Sequence, residues 1–127
     1  MITIIMPHDI SLERSILSAY LHGWGDDYDR VEPVWFYLPS NRIIMEVIRD
    51  IQFSGQDVDL PAVTIALHDS GALSRVGGAV GVTEIIFEPV PGSSAHAINR
   101  LKALYDAREE IKTCWFRIDE LSEGIYQ

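Results

Sequence analysis

Lysine is scarce in this chain: Lys102 and Lys112 are the only two among 127 residues, and the eight arginines are scattered rather than clustered. Against them stand 19 aspartates and glutamates, for a formal net charge of −9. Nucleic-acid binding draws its affinity from clustered basic side chains that displace counterions from phosphates. Direct DNA binding by this segment is therefore not expected, and any single-strand contact would be weak and salt-sensitive. A basic or neutral apolar partner surface suits this charge better.

Cysteine occurs once, as Cys114, which excludes an internal disulfide and any CxxC metal site. Its place beside Trp115 predicts a small apolar filler rather than a nucleophile. No stretch of eighteen apolar residues exists, so no membrane-spanning helix is expected. Residues 1–6, "MITIIM", are apolar but lack the basic start, length and cleavage site of a signal peptide; they read as a short strand or an extended arm. The sum predicts a soluble, cytoplasmic protein.

The arrangements that mark catalysis are missing too. "GALSRVGGAVG", residues 71–81, holds four glycines in eleven residues. It is not followed by the Lys-Ser or Lys-Thr of a phosphate loop, and it lacks the GxGxxG spacing. These glycines read as punctuation between helices. The histidines at 8, 22, 68 and 96 are dispersed, and none stands at ligand spacing from another histidine or cysteine. His68-Asp69 reads as a surface pair. The acids of "WGDDYDRVEP" read as a solvated helical turn from Asp26 to Val31 rather than a metal loop. No catalytic residue, metal ligand or cofactor site is predicted, and the chain is not expected to be an enzyme.

What the sequence does have is helical periodicity. Apolar residues make up 47%, and a chain this long buries roughly two-thirds of its unfolded surface. Leu12, Ile16, Leu17, Tyr20 and Leu21 recur at helical spacing, with Asp9 or Ser11 as cap and Gly23 as stop. Ile43, Ile44, Val47, Ile48 and Ile51 form a wide stripe on a helix started by Ser40 or Asn41 and ended at Gly55. Before it, Trp35, Phe36 and Tyr37 read as core aromatics or, alternatively, a docking patch. Asp59 caps a third helix with Pro61 in its first turn, Val63, Ala66 and Leu67 inward, and Gly71 at its end. A short helix is predicted from about Gly78 to Phe87.

From Ser94 to about Glu123 the pattern is one long helix, capped at Ser93-Ser94. Ala97, Leu101, Leu104, Arg108, Ile111, Trp115 and Ile118 alternate in steps of four and three, the seam of a helix-to-helix contact. A helix of about 30 residues spans about 45 Å, more than a small domain needs, so it is expected to protrude. Trp115-Phe116, far along it, fills either an intermolecular or an internal contact. The fold class is all-α: a compact bundle of five to six helices over 1–93 and a long helix over 94–127.

With these helices laid out, the chain resembles the N-terminal domain of DnaB-type replicative DNA helicases over residues 7–126. "PHDISLERSILSAYL" is similar to that family's opening, with Glu13, Ser15, Leu17, Ala19 and Leu21 in register. "FYLPSNRIIMEVI" matches at Phe36, Tyr37, Pro39, Arg42, Ile44 and Ile48, with Asn41 replacing the usual histidine. "SGQDVDLPAVTIAL", "GALSRVGGAVGVTEI" and "PVPGSSAHAINRL" follow in order and at the right spacing. Ala62 stands where the family usually has threonine. Gly81 replaces an aromatic, which predicts a lighter core there, and Gly92 adds a residue to the last loop.

The resemblance implies a non-catalytic helical domain that builds the collar of a hexameric ring as a trimer of dimers. It also implies docking of the primase C-terminal domain or a helicase loader, with ATP and Mg confined to a separate motor domain. The long helix would be the first arm of a hairpin. Leu101, Leu104, Arg108, Ile111, Trp115 and Ile118 are then the expected oligomer interface. Because the chain stops at "DELSEGIYQ", an excised domain of a longer helicase is expected. The alternative is a free-standing phage or mobile-element regulator that mimics the collar and binds a host helicase or primase.

Overall fold

The computed structural model describes residues 5–126, with side chains through residue 123. Its α-helices are α1 (Ile10–Leu21), α2 (Pro39–Phe53), α3 (Leu60–Asp69), α4 (Gly78–Ile85) and α5 (Ser94–Tyr126). Single 3-10 turns at Gly25–Tyr28, Pro33–Trp35 and Leu73–Val76 join them, and no strand occurs among the described residues. The all-α expectation holds. The acidic stretch forms the first of these turns, shorter than the Asp26–Val31 helical turn expected. The arm "MITIIM" lies mostly outside the described residues.

Local chemistry explains most helix starts. The Asp9 carboxylate, rather than Ser11, accepts from Leu12 N at 3.0 Å and caps α1. Asp59 does the same for α3 through Ala62 N at 2.8 Å, satisfying a first-turn donor where Ala62 brings no hydroxyl. At α5 the cap is Ser93, whose hydroxyl accepts from His96 N at 3.2 Å. α2 differs: it begins at Pro39, before the expected Ser40 or Asn41, and Leu38 at its cap position offers no side-chain acceptor.

α2 is the central helix. Ile44, Met45, Val47, Ile48 and Ile51 bury its inner face, while Ile43 packs at the edge of the core. Ile16, Leu17 and Tyr20 of α1 and Val63 and Leu67 of α3 meet it, while α4 adds Val82 and Ile85 to the same core from its seat against α1 and α3. Trp35 and Phe36 are buried, so these two aromatics belong to the core. The first half of α5 completes that core with Ala97, Ile98 and Leu101.

The glycine-rich stretch is indeed a turn between helices. Gly77 (φ +90°) and Gly78 (φ +71°) adopt the left-handed conformation that side chains disfavour. Gly81 corrects an expectation. A Cβ there would lie 2.4 Å from the Val76 carbonyl oxygen. The absent side chain therefore leaves no light spot in the core, because α4 closes directly onto the preceding turn.

Candidate protein interface

A buried polar hub sets the direction of α5. Glu13 of α1 is only 1% exposed. Its Oε2 accepts from Tyr37 N at 2.7 Å, and its Oε1 from Asn41 Nδ2 at 3.0 Å and Leu38 N at 3.3 Å. One carboxylate from α1 thus anchors the chain leading into α2, with its negative charge beside that helix's N-terminus. Asn41 supplies the side-chain donor.

Arg108 reaches into the same region from α5. It donates from Nη1 to Pro7 O at 2.9 Å and from Nη2 to Trp35 O at 2.7 Å. Its guanidinium lies 5.5 Å from the Tyr37 ring centroid, and His8 stacks on that ring at 4.2 Å. Burial lowers the Arg108 pKa, while the nearby Glu13 charge opposes the shift. Arg108 therefore ties α5 both to the residues before α1 and to those before α2, fixing the angle at which the helix leaves the core.

The six expected interface residues divide at this point. Leu101 and Arg108 are buried within the chain itself. Their 3-4 spacing continues a seam whose first half is intramolecular. Leu104 is partly buried beside a shallow depression formed with His96, Asn99, Arg100 and Ala103. Ile111 is partly buried, and from there the same face meets solvent. Trp115 is 40% exposed, Ile118 52% and Leu121 56%. Phe116, 70% exposed, stands beside this ridge.

Two members went unassigned in the sequence. Leu121 shares that face three residues past Ile118, one short of the position the alternation would take. Cys114, expected as a filler, is exposed on the same stripe. α5 is 33 residues long, about 50 Å, and residues 112–126 account for about 22 Å of it. Trp115 and Phe116 also line a depression of about 330 Å³ with Met6, Lys112 and Asp119.

The other sequence candidates stay apart. His68 and Asp69 lie 3.4 Å from each other with both side chains in solvent, a surface pair. Among the described residues no three His, Cys, Asp or Glu side chains gather as a metal would require. No described helix is long and apolar enough to cross a membrane.

Fold and ridge together define an all-helical domain with a projecting apolar arm. The DnaB-like helicase N-terminal domain family matches residues 5–106, and the chain belongs to that family. The replicative DNA helicase DnaB of Leifsonia xyli subsp. xyli (strain CTCB07) is 37% identical over 76 residues, 58% of this chain. That match spans 17% of the relative's own length. The crystal structure of the N-terminal domain of DnaB helicase from Mycobacterium tuberculosis superposes with a TM-score of 0.86. It covers 94% of this chain and 86% of that one at 22% identity, a likeness of fold.

Proposed function

We propose that this domain is the collar of a replicative DNA helicase, a protein-binding module that carries no reaction of its own. The parent protein would be an ATP-dependent DNA helicase, with nucleotide and magnesium held by its motor domain. The collar associates with further copies of itself, as dimers that assemble into a ring, and offers a docking platform to primase or a helicase loader. Its setting is the bacterial cytoplasm.

The observation that carries this reading is the ridge Ile111-Trp115-Ile118-Leu121 on a helix that outruns its own core. Each such side chain, once covered, contributes about 2 kcal/mol. Several together offset the entropy of association. A projecting helix without packing is also marginal in water, so a partner stabilises the arm itself.

Light scattering on the wild-type chain and on Trp115→Ala tests the proposal. The wild type is expected as a dimer or larger species at high concentration, with the variant shifted toward monomer. A strictly monomeric wild type at high concentration defeats it.

A further inference from the structure

A groove of about 1010 Å³ runs between the Pro33–Trp35 turn and α2, and shares no residue with the α5 ridge. Pro33, Val34 and Phe53 supply its apolar surface. Phe53, the last residue of α2, is 89% exposed and Val34 47%. Asp29, Glu32, Glu46 and Asp50 line the same groove and are all exposed. None of these four carboxylates takes part in a salt bridge or accepts a side-chain hydrogen bond among the described residues.

The groove's arginines are disposed differently. Arg42, partly buried, donates from Nη2 to Phe36 O at 3.0 Å, and its Nε is buried without a partner. Arg49 donates to Gln52 Oε1 at 2.9 Å, to Asp29 O at 2.8 Å and to Val31 O. Arg30 alone is exposed with no partner among the described residues. Four carboxylates against three guanidiniums leave the groove at −1, on a chain of −9. The four carboxylates are left free as acceptors, while Arg49 donates to three of the chain's own oxygens and Arg42 to one.

We propose that this groove is a second interaction surface, which takes a peptide segment of a partner protein bearing a large apolar side chain flanked by lysines or arginines. The apolar side chain covers Phe53 and Val34, the kind of central anchor that dominates interface energetics. The basic groups meet Glu32, Glu46 and Asp50 at the rim. Exposed pairs of this kind add little affinity each, but they select the partner's sign of charge and speed its arrival.

The test is an NMR titration of the ¹⁵N-labelled full chain with two synthetic amphipathic peptides, one of leucine and lysine, the other with glutamate for each lysine. The leucine-lysine peptide is expected to shift the amides of Val34, Glu46, Asp50 and Phe53 saturably. Glu46→Lys/Asp50→Lys and Phe53→Ser should each weaken it about tenfold, equivalent to about 1.4 kcal/mol. The glutamate peptide should bind at least about tenfold more weakly, and Trp115→Ala should bind as the wild type does. Absence of saturable shifts, shifts centred on α5 or spread over acids elsewhere, or wild-type affinity in the charge-reversed variant would each overturn the proposal. The outcome is independent of self-association through α5. The altered side chains are exposed, and the amide spectrum itself reports whether each variant is folded.

Discussion

Glu13 joins three groups that are distant in sequence: two backbone amides ahead of α2 and the Asn41 amide. Removing it strands three donors at once. Leaving buried polar groups unpaired is what makes such losses large. Glu13→Ala is expected to lower stability by about 3 kcal/mol, and Glu13→Gln by about 1 kcal/mol, since its amide oxygen still accepts. Urea unfolding reads this as a lower midpoint at unchanged slope. Equal midpoints for wild type and Glu13→Ala would show that the hub contributes nothing.

Tyr20 gives a pH prediction at the same scale. Its phenol is fully buried and donates to Tyr28 O. Burial raises its pKa well above the ordinary 10.0; the Arg49 charge opposes the shift, and Asp29 and Tyr28 add to it. Above about pH 10 the unfolded chain releases this proton while the folded chain keeps it, so the folded state binds more protons there. Stability therefore falls as pH rises past about 10. Tyr20→Phe should be less stable near neutrality by about 1 kcal/mol, yet lose less stability between about pH 10 and 12. Parallel unfolding curves for the two proteins across that range would contradict the assignment.

At the scale of elements, α4 depends on the absence of a side chain at Gly81. Alanine there improves helix propensity by about 1 kcal/mol, but its Cβ would sit 2.4 Å from Val76 O. Overpacking against backbone, about 3 kcal/mol, wins. Gly81→Ala is expected to lower Tm by about 8 °C in calorimetry, and a Tm equal to or above the wild type's would show that the turn has room. This was not legible in the sequence, because the contact depends on how the Leu73–Val76 turn folds back.

What was legible follows the same division between near and far. Asp9, Asp59 and Ser93 were readable as caps because a cap lies within three residues of the amide it satisfies. The start of α2 was misplaced because its anchor, Glu13, comes from another helix. The seam of α5 was visible as spacing. Periodicity repeats unchanged along a helix, so it could not say where the seam stops serving the core, at Arg108, and begins to face solvent, past Ile111. The alternation points past Ile118 to Ser122, so spacing did not single out Leu121, which shares the same face. Cys114 looked like a filler because it adjoins Trp115, and only the projection of α5 beyond the core exposes it.

For the whole molecule, the central claim is that the far half of α5 is a surface for another protein. Its single cysteine allows this to be read at the ridge itself, since Cys114 lies on the stripe between Ile111 and Ile118 and is exposed in the isolated chain. The direct measurement is the rate of Cys114 alkylation by iodoacetamide over a wide range of protein concentration, in wild type and in Trp115→Ala. The rate should fall severalfold in the wild type as the ridge becomes covered, and stay flat in the variant. A wild-type rate that does not change with concentration would contradict the account.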